Sequence, residues 1–379
     1  MNELQDTKRI NTLFENVAAL IEQSRHRVAT AVNVAEVYTK FYIGQYIVED
    51  EQEGNVRAQY GKQVLKELSR RLNERFGNGW SVDTLEKCRK FYSVYSISAT
   101  PQRKLPGRKP ATPQRKSSTP QTKSELQPDG MPTFSLSWNH YQILMRIDNP
   151  DERSFYEIES TQQQWSVRQL QRQVASSLYE RLALSRDKDE VIRLACEGQT
   201  IEKPSDIIKN PVTLEFLGLQ PEAVYSETKL EGAIISRLQS FLLEMGKGFL
   251  FEARQKRFTF DEENFYVDLV LYNRILQCYV LVDLKTDKLT HQDLGQMQMY
   301  VNYFDRHVKL DFEKPTVGIL LCKSKKDTLV ELTLPKDANI YATEYSLYLP
   351  DKTLLQAKVK EWINEFEQEN DMLYEILGK

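Results

Sequence analysis

Phe265-Tyr266-Val267-Asp268-Leu269-Val270-Leu271-Tyr272 and, a few residues on, Cys278-Tyr279-Val280-Leu281-Val282-Asp283-Leu284-Lys285 are two short runs of aliphatic and aromatic residues, each interrupted by charge. Runs of this length and composition read as β-strands. Side-chain alternation puts Tyr279, Leu281, Asp283 and Lys285 on one face of the second strand and Cys278, Val280, Val282 and Leu284 on the other. A hairpin centred between Ile275 and Leu276 would set Asp268 opposite Asp283.

Two carboxylates facing each other in a half-buried site repel, at a cost of several kcal/mol, unless a cation joins them. Oxygen ligands of that kind, completed by the main-chain carbonyl of Leu284, suit Mg²⁺ or Mn²⁺. Lys285 adds a cation that can orient a water and favour its deprotonated form. Hydrolysis of a phosphodiester fits this set better than acyl transfer does.

Around these strands the sequence predicts an α/β domain on a mixed sheet, over residues 200–379. Leu230 to Leu243 is amphipathic, with Leu230, Ile234, Leu238 and Phe241 on one side. Thr290 with Asp293 three residues on is a capping signature for a helix from His291 to Phe304. Further strands are predicted over Thr316 to Cys322 and Ile340 to Tyr348.

Upstream, over residues 1–190, the periodicity is helical throughout. Helices are predicted over Ile10 to Ile21, Val34 to Glu49, Gly61 to Phe76, Trp138 to Ile147, Pro150 to Gln164 and from Ser166 through Tyr179. Gly77-Asn78-Gly79 stops the third of these, and Ser81 caps the next, which carries Lys87, Arg89 and Lys90. Helix, glycine turn and basic helix make the outline of a DNA-contacting helix-turn-helix, which is also the outline of any packed helical hairpin. The phrase Trp80-Ser81-Val82 is echoed by Trp165-Ser166-Val167, where Ser166 and Gln169 form a capping box.

A basic insertion, 99–132, interrupts this helical half. It repeats TPQRK, holds seven basic residues between Pro101 and Lys123, among them Arg103, Lys104, Arg115 and Lys116, and has no acidic residue there. With so few apolar side chains it is expected to be disordered, either a phosphate-contacting tether or a solvated spacer. The chain as a whole carries a net charge of −3, so the remainder stands at −10 (−3 minus +7).

Four scattered cysteines and four scattered histidines exclude a zinc module, a disulfide scaffold and a histidine-based triad. The polar start of the chain and the lack of a long apolar run lead to the expectation of a cytoplasmic protein with no membrane contact.

Together these residues resemble the YhcG-like family of the PD-(D/E)xK nuclease superfamily, in which a helical N-terminal domain precedes a nuclease domain. The resemblance rests on Leu230-Glu231, Arg254-Gln255-Lys256-Arg257, Val267-Asp268-Leu269, Asp283-Leu284-Lys285 and Gly295-Gln296 with Tyr300, and upstream on Trp138-Asn139-His140-Tyr141 and Gln164-Trp165-Ser166-Val167. It implies a restriction-endonuclease-like αβββαβ core with Asp268, Asp283 and Lys285 as the central triad. Glu231 would be an accessory carboxylate on the metal side, and Gln296 and Tyr300 would line the site. Arg254, Lys256 and Arg257, read from their charge alone, are a phosphate-contact cluster or a solvated charge run. The activity implied is metal-dependent cleavage of DNA in repair, recombination or defence against foreign DNA. A homodimer is the expected assembly, with protein partners able to dock on the helical half, and apolar residues from Trp362 to Ile376 are one candidate pairing surface. The competing reading is a catalytically silent nuclease-like binding module. Two positions depart from the family pattern: Val267 replaces the proline, and Asp283 stands where glutamate is commoner, about 1.5 Å shorter in reach.

Overall fold

The computed structural model describes residues 2–53, 58–96, 132–184, 188–220, 225–260, 262–335 and 338–361, which fall into two units, Met1–Asp148 and Asn149–Lys379. The insertion, with Arg103, Lys104, Arg115 and Lys116, and the apolar stretch from Trp362 to Ile376 lie outside the described residues. Among the described residues no helix is long and apolar enough to cross a membrane.

The first unit is helical: α1 (Asn2–Glu53), α2 (Ala58–Phe76), α3 (Val82–Ser96) and α4 (Trp138–Leu144). Where the sequence predicts two separate helices, α1 is one continuous helix, because no glycine or proline stands between Ile21 and Val34 to end it. Gly77 (φ 83°) and Gly79 (φ 137°) make the turn after α2. Ser81 Oγ then accepts from the Thr84 amide at 3.2 Å and starts α3.

The buried face of α3, with Leu85, Cys88 and Phe91, packs on α1. The two backbones approach closely at Gly44, where a Cβ atom would lie 2.1 Å from the Cys88 carbonyl oxygen. Phe41, Phe91, Phe134 and Tyr141 complete an aromatic core. Of the basic residues on α3, Lys87 pairs with Asp83 at 2.6 Å and Arg89 with Glu51 at 2.8 Å, while Lys90 is exposed.

The second unit opens with α5 (Pro150–Gln162), α6 (Val167–Ala175), α7 (Leu178–Leu184) and α8 (Lys188–Glu197). The unit boundary therefore lies earlier in the chain than the change of sequence character near residue 190. The capping box of Ser166 and Gln169 is present. The helix it starts ends at Ala175 rather than running through Tyr179, because Ser177 takes a left-handed φ of 52°.

A buried ion network joins these helices to the rest of the unit. Arg181, fully buried, donates to Glu244 Oε1 at 2.6 Å and to the Ser176 carbonyl at 2.8 Å. Arg172 donates to Glu244 Oε2 and to Glu215 Oε1, each at 3.0 Å, and Lys209 Nζ donates to the Glu244 carbonyl.

The sheet runs in the order β1-β6-β5-β4-β3-β2, with β1 (Val212–Thr213), β2 (Phe249–Phe260), β3 (Glu263–Asn273), β4 (Cys278–Lys288), β5 (Val317–Ser324) and β6 (Ile340–Ser346). β2, β3 and β4 are antiparallel, whereas β4, β5, β6 and β1 are parallel, so the sheet is mixed. Helices α9 (Glu227–Ser236) and α10 (Leu238–Met245) cover one face, and α11 (His291–His307) with α12 (Asp327–Thr333) covers the other.

The two cores divide β4 as alternation predicts. Val280, Val282 and Leu284 pack with Leu230, Ile234 and Phe241, and Leu281 packs with Met297, Tyr300 and Phe304. From α9 to β5 the elements follow the αβββαβ order, with the first helix broken at Arg237 and β2 as the first strand. Sequence patterning does not reveal β2. It is an edge strand, and its exposed residues Arg254, Gln255, Lys256 and Arg257 erase the apolar alternation that marks its neighbours.

Candidate active site

The β3–β4 ladder ends at Leu269↔Val282. That register continues to Asp268 and Asp283, because 269 and 282 give the same sum as 268 and 283. The hairpin centre read from the sequence is therefore the one formed. Beyond this rung the strands part, and the freed amide of Leu284 donates to Asp268 Oδ2 at 2.8 Å. Asp268 thus caps the end of the ladder that carries Asp283 and Lys285.

Asp283 is 3% exposed, and its Oδ2 touches Lys285 Nζ at 2.8 Å. Burial, followed by the charge of Asp268, pushes the Asp283 carboxyl up to about 7, against the opposing pull of Lys285. Burial alone would lower the Lys285 ammonium, but Asp283, Glu227 and Asp293 outweigh it and hold it above its ordinary range. Glu227 and Asp293 stand 3.7 and 3.9 Å from that ammonium. Burial also pushes the Glu227 carboxyl up.

Glu231 comes from α9, on the face of the sheet opposite α11, and is 4% exposed. The Gln255 amide links it to the aspartates, donating to Glu231 Oε2 at 2.7 Å and to Asp268 Oδ1 at 2.9 Å. Gln255 lies opposite Asp268 on β2 and has a φ of 45°, strained for a residue with a side chain. Arg254 Nε is 3.6 Å from Glu231 Oε1. Gln255, Glu227 and Asp293 are the members of the cluster that sequence reasoning did not select. Gln255 stands in a phrase otherwise made of cations, Glu227 lies one turn before Glu231 on the same helix, and Asp293 has a capping role that it does fulfil at Thr290.

From α11, Gln296 donates to the Tyr300 hydroxyl. Tyr300 is buried against Phe258, and burial together with Asp283 holds its hydroxyl above the usual phenol range. α11 lies close on the sheet because β5 has glycine at 318; a Cβ atom there would come within 2.7 Å of Met297. Lys256 and Arg257 are exposed on β2, Lys256 3.6 Å from Glu252 and Arg257 donating to Asn264 at 3.0 Å. They and Arg254 form a basic edge beside the carboxylates. Lys87, Arg89 and Lys90 belong to the other unit.

The donor set fits a hard divalent cation in kind: Asp268, Asp283 and Glu231 with the Leu284 carbonyl. Glu231 Oε1 and Asp283 Oδ2 are buried without an aligned hydrogen-bond donor. Among the described residues, however, no three His, Cys, Asp or Glu side chains stand close enough together to form a metal cluster as placed. Gln255 and Lys285 lie among the carboxylates instead.

Residues 205–360 match the family described as the YhcG PDDEXK nuclease domain, and residues 16–181 match the DUF1016 N-terminal domain. The protein named "Putative nuclease YhcG" from Escherichia coli (strain K12) is 37% identical over 348 residues, which is 90% of this chain and 92% of that one. Among solved structures, a repair endonuclease from Pyrococcus abyssi aligns with a TM-score of 0.23 and 19% identity over 34% of this chain and 49% of its own. An EndoMS–dsDNA2 complex aligns with a TM-score of 0.24 and 17% identity over 34% of this chain and 48% of its own. The chain thus matches about half the length of each of these two structures.

Proposed function

The chain belongs to the YhcG PDDEXK nuclease family, and on that premise we propose that it is a divalent-metal-dependent deoxyribonuclease. The observation that carries this reading is the end of β4, where Asp283 and Lys285 meet Asp268 and Glu231 with carboxylates in excess of cations. Asp268, Asp283, Glu231 and the Leu284 carbonyl would hold Mg²⁺ or Mn²⁺. When bound, the ion would supply Lewis-acid stabilisation of the charge that develops on the scissile phosphate.

Lys285, kept protonated by its acidic neighbours, orients the attacking water and favours its hydroxide form. Tyr300, held by Gln296, lines the site from α11. Arg254, Lys256 and Arg257 grip the phosphate backbone along the edge of β2.

In this reading residues 200–379 form the nuclease domain and residues 1–190 the recognition domain. Lys90 is the most available of the three α3 cations, since Lys87 and Arg89 are already paired. Arg103, Lys104, Arg115 and Lys116 would add phosphate contacts from the insertion. The protein acts on cytoplasmic DNA, in repair, recombination or defence, as a homodimer that cuts both strands.

One observation favours a silent binding module instead: the Gln255 amide already engages both Glu231 and Asp268. Incubating the purified protein with linear, circular, single-stranded and branched DNA, in Mg²⁺, Mn²⁺ or EDTA, separates the two readings. Cleavage that needs the ion and is lost in Asp268→Ala supports the nuclease. DNA binding with no cleavage of any substrate supports the silent module.

A further inference from the structure

The β2–β3 hairpin reaches further than the strand beside it. β4 pairs with β3 only as far as Leu269↔Val282, whereas β2 goes on pairing with β3 for five more rungs, from Lys256↔Val267 to Phe260↔Glu263. The hairpin therefore projects about 20 Å past the end of the β3–β4 ladder, at the end where Asp268 and Asp283 stand. One face of this arm is fixed to the domain. Phe258 is buried there and stacks on Phe265, with ring centres 5.5 Å apart, and on Tyr303 of α11, at 4.1 Å.

The opposite face carries different chemistry. Cross-strand partners share a face, so Arg257 with Tyr266 and Thr259 with Asn264 lie together, away from Phe258 and Phe265. Arg257 and Thr259 both donate to Asn264 Oδ1, at 3.0 and 2.9 Å. Tyr266, 45% exposed, is the aromatic ring among them, and it stands two residues and about 7 Å along β3 from Asp268. A ring flanked by a cation and polar groups is a poor seat for an apolar partner. It suits a nucleobase, whose flat face can stack while the neighbouring phosphate meets the guanidinium. Charge sets the limits of the track. Arg254, Lys256 and Arg257 are exposed at the root of the arm and Glu262 and Glu263 at its tip, so phosphates are drawn to the root and repelled from the tip, where Phe260 stands opposite Glu263. The bases of an intact duplex cover one another and offer no free face, and extruding one is costly. An unpaired strand offers every base.

We propose that the root of the β2–β3 arm binds DNA with unpaired bases, one base stacked on Tyr266 and the adjoining phosphate on Arg257, so that the preferred substrate is a strand unpaired at the site of cleavage. This deepens the nuclease reading and rests on it for the place of the strand beside Asp268, and the test below reads binding in EDTA, separately from any DNA cleavage.

Fluorescence anisotropy on the full-length protein, in EDTA and at one salt concentration, compares a labelled thymidine oligomer of about 20 nucleotides with a blunt duplex of equal length. The wild type should hold the single strand on the order of tenfold more tightly than the duplex. Tyr266→Ala should weaken single-strand binding by about tenfold and leave duplex binding unchanged. Tyr266→Phe keeps the ring and should bind both as the wild type does. Equal affinity of the wild type for the two DNAs, a Tyr266→Ala loss that is absent or the same for both, or a Tyr266→Phe protein as weak as Tyr266→Ala would each overturn the proposal. The expected pattern in a protein that cuts no DNA would keep the arm and remove the nuclease reading, and cleavage without that pattern would do the reverse.

Discussion

The second unit holds two clusters of charge, one buried and one opening to the surface, and they are built on opposite plans. Around Glu244, three cations (Arg172, Arg181 and Lys209) meet two carboxylates (Glu215 and Glu244), and Glu244 takes hydrogen bonds from both arginines and from the Thr213 amide. Burial alone would raise the Glu244 carboxyl, but Arg181, Lys209 and Arg172 overcome it and hold it at about 2. Around Asp283 the count is reversed. Five carboxylates (Glu227, Glu231, Asp268, Asp283 and Asp293) share Lys285 and the half-exposed Arg254, and the Asp283 carboxyl rises to about 7. The first cluster is complete as it stands and fastens α6 and α7 to α10 and β1. The second lacks positive charge, which is the condition in which a site binds a cation or does chemistry.

The sharpest way to break this comparison is to cut one member from each cluster. Asp268→Ala or Lys285→Ala should lower metal-dependent DNA cleavage by a factor on the order of 10³ while thermal unfolding stays near that of the wild type, since both act at a strand end. Wild-type cleavage rates in either variant would remove the site from the chemistry. Glu244→Ala should do the reverse in kind. It leaves Arg181 buried without its partner and should cost about 3–5 kcal/mol in urea unfolding. A loss under about 1 kcal/mol would mean that the network is not a structural fastening.

The two clusters should also respond oppositely to pH. The Glu244 carboxyl lies below its ordinary 4.5 in the fold, so its contribution is present above that value and is lost as pH falls towards 2. The Asp283 carboxyl lies above its ordinary 3.8, so its contribution is fully present below about 4 and is lost as pH rises through about 7. Asp283→Asn should therefore raise the melting temperature at pH 8, with the gain shrinking towards pH 4, and abolish cleavage. An equal shift at both pH values would mean that charge at Asp283 does not strain the fold. The smallest expected effect is that of Asp283→Glu, which lengthens the carboxylate by one methylene and should keep cleavage within about tenfold of the wild type. Complete inactivity would show a pocket fitted to the shorter side chain.

Much of the site is written in local pattern. Alternation in Cys278 to Lys285 assigned each β4 residue to its core, and the length of the connection to Tyr272 fixed the register that pairs Asp268 with Asp283. Thr290 with Asp293, and Ser166 with Gln169, marked helix starts through hydrogen bonds that span only three residues. Gln255 was not legible in this way. Its place follows from a left-handed turn inside an edge strand and from the approach of Glu231 on α9, 24 residues away.

By itself, then, the sequence determined the helical half, the succession of β3, β4, α11, β5 and β6, and the two aspartates and lysine at one strand end, because periods of 2 and 3.6 and short capping motifs depend on neighbours along the chain. The tertiary structure alone decided which charges are satisfied. Glu244 and Asp283 are both carboxylates on elements of ordinary sequence, and one is held at about 2 and the other at about 7 only because folding gathers arginines around the first and other carboxylates around the second, where little water is left to screen them.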